Sequence, residues 1–275
     1  MIVFPNSKIN IGLKVVRKRN DGFHDIETIF YPLPVRDALE IIPAKNNFEF
    51  THSGLSLNNI SENNLCVKAY LLLKKDFSQL PPVQMHLHKA IPVGAGLGGG
   101  SADGAFTLLL LNKKFNLGLS AEQLQEYALQ LGSDCPFFIL NTACFATSRG
   151  EFLEPVKLDL SAFKVLLVHP GIHVSTAWAF SVITPTVSAS FQLKDIITRP
   201  IESWKDFLKN DFEEPVFKKF PEIEKIKNSL YESGAVFSAM SGSGSSVFGI
   251  FRRDTAFTNR FPAHYFVKEL PGRFQ

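Results

Sequence analysis

"PVGAGLGGGSADGAF", Pro92–Phe106, is the stretch on which the reading of this chain turns. Small residues occupy Gly94, Ala95, Gly96, Gly98, Gly99, Gly100 and Ser101, and an apolar helical pattern follows at once. Glycine loses more backbone freedom on ordering than any other residue. Flexible linkers rarely open straight onto an apolar helix. Small residues let backbone N–H groups close on an anion, and a helix N-terminus adds positive potential. Ser101 is placed to cap that helix or to meet a phosphate oxygen. From the loop alone, a phosphate cradle and a structural turn both stay open.

Three specific phosphate loops have comparable patterns. Gly94, Gly96 and Gly99 fit G-x-G-x-x-G, but the dinucleotide fingerprint needs an acidic residue at a strand end about 20 positions on, where this chain reads as helix and turn. The Walker pattern puts a lysine where Gly100 stands. The protein-kinase loop puts valine where Ser101 stands. What remains is a polyphosphate held without a Walker lysine.

The 275 residues suffice for one large domain or two modest ones. Apolar residues make up 45% and charged residues 20%, ordinary values for a globular protein. A net charge of +3 permits a phosphate-bearing ligand and lacks the basic run of a nucleic-acid binder. Cys66, Cys135 and Cys144 are odd in number and scattered, which argues against a disulfide framework or zinc ribbon and for a reducing compartment. No signal peptide or membrane-length apolar run is read, so the expectation is a cytoplasmic protein without a membrane or nucleic-acid partner, monomer or homodimer.

Around the loop, Ser7–Arg19 alternates like a strand, "NDG" at Asn20–Gly22 signals a hairpin, and Phe23–Phe30 reads as the return strand. Further strands are expected at Leu39–Ile42, Phe48–His52, Val83–His88 and Phe163–His169. Helices are expected at Asn63–Lys75, Ser101–Lys114, Ser120–Leu131, in "SDCPFFIL", near Ser203–Leu208 and at Pro221–Ser233. Thr184–Arg199 reads as a mobile connection and "SAMSGSGSSVFGIF" as a last glycine loop. The mixture favours an α+β fold, with a soft boundary near Glu154–Pro155.

The loop resembles the phosphate loop of the GHMP kinases, ATP-dependent kinases of small molecules. "SKINIGLKVVRKRNDGFHDIETIF" resembles their N-terminal motif and "MSGSGSSVF" their C-terminal glycine motif, in family order. The resemblance implies two domains: a nucleotide-binding α/β domain, 1–154, and a ferredoxin-like α+β substrate-side domain, 155–275, with the active site in the cleft between. The D-G-F-H stretch resembles the members that phosphorylate the 2-hydroxyl of a cytidine-diphosphate-linked methylerythritol, on the methylerythritol phosphate route to isoprenoids. Another small-molecule kinase of this family, or a catalytically silent homologue, are the alternatives.

Asp134 matches the family's catalytic acid position, although Asp before an early-turn proline is also a natural N-cap. Lys8 matches the catalytic lysine; without the motif it would be an ordinary solvated strand lysine. ATP and Mg²⁺ are the implied cofactors, with no protein metal ligands assigned. Nucleotide contacts are carried over to Asn64, Leu65, Lys89, Pro92, Gly94, Gly96, Leu97, Gly98, Gly99, Gly100 and Ser101; Lys89 could equally be a strand-end charge. On the acceptor side, Asn10 would donate to a phosphate or substrate oxygen and His24 would read the cytosine edge. Phe23 and Phe180 would sandwich the base, and Thr176, Gly242 and Gly244 would line the acceptor. Core packing is the plain alternative for both phenylalanines. Gly104 departs from the family's usual alanine and should weaken its helix by about 1 kcal/mol.

Overall fold

The computed structural model describes residues 1–56, 63–185, 192–258 and 261–273. Strands β1 (Ile2–Val3), β2 (Asn6–Lys18), β3 (His24–Arg36), β4 (Ala38–Pro43) and β5 (Glu49–Gly54) precede helix α1 (Leu65–Asp76). Strand β6 (Val83–Lys89) leads through the glycine loop to α2 (Gly99–Phe115), α3 (Ala121–Leu131) and α4 (Cys135–Leu140). Then come β7 (Cys144–Thr147), β8 (Phe152–Pro155), β9 (Phe163–His169), α5 (Thr176–Val182), α6 (Leu193–Ile196) and α7 (Trp204–Phe207). Helices α8 (Glu213–Lys219) and α9 (Pro221–Glu232) and strands β10 (Phe237–Met240), β11 (Val247–Arg252) and β12 (Phe266–Pro271) complete the order.

Contacts gather these elements into two compact units. The first comprises Met1–Ser7, Val35–Val93 and Gly98–Thr142; the second comprises Lys8–Pro34, Gly94–Leu97 and Ala143–Gln275. The units are discontinuous in sequence, unlike the linear division expected at Glu154–Pro155, a position that β8 itself reaches.

In the first unit the sheet order is β1-β4-β6-β5, antiparallel except for β5 on β6. The alternation of β6 sends Val83, Met85, Leu87 and Lys89 inward. Lys89 is therefore no solvated strand-end charge. Its ammonium is bonded to Asp37 and lies 2.7 Å from Asp103 Oδ2, with all three side chains buried. Asp37 Oδ1 also accepts the N–H groups of Ala90 (2.6 Å) and Ile91 (2.9 Å). The triad thus fastens the chain leaving β6 to the second turn of α2. Two full negative charges would overcompensate one ammonium in a medium where lone charges are costly. Burial first, and the Asp37 carboxylate beside it, push Asp103 well above the usual carboxylate range against the pull of Lys89. Asp103 Oδ1 is buried and meets no donor, so nothing on that side favours the charged form.

Helix α2 is the buried axis of this unit. A Cβ placed at Gly104 would stand 2.9 Å from Leu65 Cβ, near the start of α1. The glycine that weakens α2 by propensity is what lets α1 come this close. Helix α3 carries the expected capping box between Ser120 and Gln123.

The second unit contains two sheets. One has the order β2-β3-β7-β8; the other, β10-β11-β9-β12, is antiparallel throughout. That order sets the first and third strands in the middle, as expected of a ferredoxin-like sheet, but the described residues between β11 and β12 form turns and coil where that pattern has a helix. Helix α9 packs Ile223, Ile226 and Leu230 into the core with Val168, Met240 and Val247. The three cysteines are buried and unpaired, as expected.

Two expectations change. Strand β3 continues past Phe30 to Arg36, through Pro32 and Pro34. The connection expected over Thr184–Arg199 is partly helical: α6 buries Leu193 and Ile196, while 186–191 lie outside the described residues.

Two outcomes test this packing. Gly104→Ala should lower stability in urea by about 1 kcal/mol, because overpacking at a 2.9 Å approach outweighs the helix propensity gained; a stabilised variant contradicts it. Asp103→Asn, a neutral isostere of the protonated acid, should stay within about 1 kcal/mol of the parent at pH 7, while Asp37→Asn should lose about 3 kcal/mol. Because the folded value of Asp103 is raised, its contribution declines as pH rises from about 3.8 toward that value, and Asp103→Asn should lack this slope. Equal losses in the two variants would contradict the assignment.

Candidate active site

Helix α2 starts at Gly99, two residues before the expected start, with Gly98 at its cap in the left-handed region (φ +70°) and no side-chain cap. Ser101 therefore does not cap the helix but lies in its first turn, beside the Cys135 thiol. The first helical bond is Ala102 N–H to the Gly98 carbonyl (2.9 Å), which leaves the N–H groups of Gly99, Gly100 and Ser101 without intrahelical acceptors. No acidic residue stands in that first turn to compete for them. A Cβ at Gly100 would meet nothing within 4 Å, so that residue borders open space. Pro92 is buried at the entrance to the loop.

Residues Gly94–Leu97 run through the second unit. Gly94 (φ +65°) and Gly96 (φ +78°) are both left-handed. A Cβ at Gly96 would fall 2.0 Å from the Ser241 carbonyl, so only glycine fits. The Gly96 carbonyl accepts the Ser241 hydroxyl (2.8 Å), and the Ala95 carbonyl accepts Ser246 N–H (3.1 Å). The Leu97 carbonyl accepts the backbone N–H of Lys8 (2.9 Å). Loop and lysine strand are thereby joined main chain to main chain.

The last glycine loop closes around this contact. A Cβ at Gly242 (φ +57°) would touch Asn10 Oδ1 and the Gly96 carbonyl at 3.4 Å each. At Gly244 (φ +92°) it would strike Met240 Sδ at 2.7 Å. Asn210, which the sequence did not single out, donates from Nδ2 to the Met240 and Gly242 carbonyls at 2.8 Å each. Thr176 opens α5 and its hydroxyl lies 2.9 Å from that of Ser243, within the same loop.

Lys8 is 3% exposed, which overturns the solvated-lysine reading. Its Nζ donates to Asn10 Oδ1 (2.6 Å) and lies 4.8 Å from the Phe30 ring centroid. Asn10 Nδ2, expected to serve a ligand, donates one hydrogen to the Thr28 hydroxyl (3.0 Å). Asp134 belongs to the first unit. It occupies the cap position of α4, yet its backbone is helical and its side chain makes no capping bond. The N-cap alternative therefore does not account for it.

At the hairpin, Gly22 (φ +85°) and the Asp21 carboxylate, which accepts Phe23 N–H (3.1 Å), set the turn. His24, not Phe23, stacks on Phe180, at 4.8 Å and 22°. Phe23 is exposed and lies under the Arg149 guanidinium, 4.7 Å from its centroid. Burial first, then Lys18, hold His24 below its ordinary 6.5, so the imidazole is neutral at pH 7 and keeps an accepting nitrogen.

Within the first unit, Asn64 caps α1, its side chain accepting Cys66 N–H (2.8 Å), and Leu65 follows half-buried. Lys89 spends its ammonium on the triad. Asp37, Asp103, Asn210, Thr28 and Arg149 were not foreseen. The inward place of Lys89, by contrast, carried a signal in the alternation Val83, Met85, Leu87, Lys89.

Comparison with known proteins identifies the family. Two family models match: GHMP kinases N terminal domain over residues 64–142 and GHMP kinases C terminal over 193–264. A Bacteroides fragilis protein named 4-diphosphocytidyl-2-C-methyl-D-erythritol kinase is 53% identical over 261 residues, 94% of each chain. One of the same name from Cytophaga hutchinsonii is 51% identical over 91% of this chain and 92% of its own. A crystal structure of 4-(cytidine 5'-diphospho)-2C-methyl-D-erythritol kinase superposes with a TM-score of 0.75 at 30% identity, covering 91% of this chain and 90% of that one. With its glycine loop, lysine strand and C-terminal glycine motif joined as described, the chain belongs to the GHMP kinase family, enzymes that use ATP as phosphate donor.

Proposed function

We propose that this chain transfers the γ-phosphoryl group of ATP to the 2-hydroxyl of 4-(cytidine 5'-diphospho)-2-C-methyl-D-erythritol, a step of isoprenoid precursor synthesis. The observation that carries the reading is the main-chain bond from Lys8 to Leu97 (2.9 Å), which ties the buried lysine's strand to the glycine loop within the second unit. Relatives at 53% and 51% identity bear the name of that kinase and supply the acceptor.

Phosphoryl transfer asks mainly for positioning and charge neutralisation. Gly94–Ser101 would hold the β- and γ-phosphates through backbone N–H groups. Asn64 and Leu65 would border the adenine. The acceptor oxygen attacks the γ-phosphorus as the bond to the β,γ-bridging oxygen breaks and ADP leaves. Asp134 accepts the hydroxyl proton, and the Lys8 ammonium steadies the oxygen as it gains charge. Among the described residues no group of three acidic, histidine or cysteine side chains is set to hold a metal. Mg²⁺ would be bound chiefly by the nucleotide's own phosphates, where it would neutralise their charge. The neutral His24 would pair with the cytosine edge, with Phe23 and Phe180 stacking on the base; such stacking is worth about 1–3 kcal/mol. Thr176, Gly242 and Gly244 would border the diphosphate.

A coupled ADP-release assay over a panel of acceptors tests this. Turnover is expected with the cytidine-diphosphate-linked substrate and not with homoserine, galactose or mevalonate; turnover of one of these instead contradicts the proposal. Asp134→Asn should lower kcat by about 10²–10⁴-fold with nucleotide KM nearly unchanged. An Asp134→Asn enzyme with the parent kcat removes that residue from the chemistry.

A further inference from the structure

Thr28 has no part in the machinery above, yet it is a fully buried hydroxyl on β3, between the apolar Ile26 and Phe30 of the same alternating series. Valine would fill that place with nearly the same shape and suit a strand equally well. The hydroxyl therefore calls for an explanation.

Its hydrogen bonds run in one forced direction. The hydroxyl lies 2.6 Å from the Gly12 carbonyl, which can only accept, so its single hydrogen goes there. Toward Asn10, at 3.0 Å, Thr28 Oγ1 can then only accept. Asn10 must present its NH₂ group to Thr28. That turns its carbonyl toward Lys8, whose Nζ stands 2.6 Å from Oδ1. With the amide reversed, NH₂ donors would face an ammonium that has nothing to accept them with. The polarity of the amide beside Lys8 is thus decided by a hydroxyl that does not itself reach the lysine. Gly12, left-handed at φ +73° within β2, is held by the Leu193 and Leu208 side chains, each 3.4 Å from where its Cβ would be. The Asn10 backbone N–H is pinned by the Ser241 hydroxyl (3.2 Å). Both ends of the relay are thereby anchored.

We propose that Thr28 is a positioning residue for phosphoryl transfer: it fixes the orientation of the Asn10 amide and through it aims the Lys8 ammonium. The inference rests on the reading that Lys8 assists the acceptor hydroxyl. Thr28 touches no substrate, so its loss should act on kcat and not on binding.

The test uses the full chain in a cycle of Thr28→Val, Lys8→Met and the double variant, with Thr28→Ser as the conservative control. Thr28→Val should lower kcat by about 10–100-fold, the size typical of losing an outer-shell partner, with KM for ATP and for the acceptor within about threefold. Thr28→Ser should return kcat to within about threefold of the parent. In the Lys8→Met background Thr28→Val should cost nothing further, since its effect passes through that lysine. The same loss in both backgrounds, or a loss seen in KM alone, means a structural role and overturns the inference. A parent-like kcat in Thr28→Val overturns it too. If Lys8→Met keeps the parent kcat, the underlying reading of Lys8 fails first. Should the valine variant not fold, Thr28→Cys replaces it, its thiol being a weak donor and weak acceptor; at least a tenfold loss in kcat is expected, and an unchanged kcat overturns the proposal.

Discussion

The fit of Gly96 against the Ser241 carbonyl is the constraint on which the rest depends. Residue 96 has no room for a Cβ, and the space a side chain would need is filled by main chain. Because the two backbones touch, the Ser241 hydroxyl can reach the Gly96 carbonyl at 2.8 Å while accepting Asn10 N–H at 3.2 Å. One residue on, the Leu97 carbonyl takes Lys8 N–H. A loop of glycines would otherwise surrender its entropy for nothing. Here Gly96 admits another backbone, Gly94 and Gly99 admit the His173 and Ile91 side chains, and Gly100 leaves open space.

Two buried lysines show how environment divides one side chain between two tasks. Lys89 is held between Asp37 and Asp103, and its charge serves to fasten the end of β6 to α2. Lys8 meets a neutral amide and an aromatic face. Burial and the neighbouring Asp37 raise the Asp103 carboxyl, which lessens the excess of negative charge in the first cluster.

Local chemistry was legible and long-range chemistry was not. Elements β2, β4, β5, β6 and β9 lie where strands were expected, and the Ser120–Gln123 pair gave the start of α3. Strand β3 was read too short because proline disfavours a laddered strand; Pro32 and Pro34 lie beyond the stretch paired with β7, which ends at Phe30 opposite Cys144. The start of α2 was read late because glycine is a poor helix former and Ser101 a good cap, whereas the left-handed Gly98 begins the helix without one. At the site, residues inside a contiguous motif could be named. Asp37, whose partner is 52 residues away, and Asn210, 30 and 32 residues from its acceptors, could not. Nothing local distinguishes such an Asp or Asn from any turn residue. Thr28 lies within the N-terminal motif, but its role depends on a carbonyl 16 positions back that only the fold brings near.

The central claim is that backbone amides of the glycine loop grip the nucleotide's phosphates. Amide hydrogen exchange across Val93–Ala102, measured with and without a non-hydrolysable ATP analogue and Mg²⁺, addresses it most directly. Strong protection on binding is predicted in this segment, greatest from Gly96 to Ser101. Protection confined to another part of the chain, with these amides unchanged at saturating nucleotide, would contradict the account.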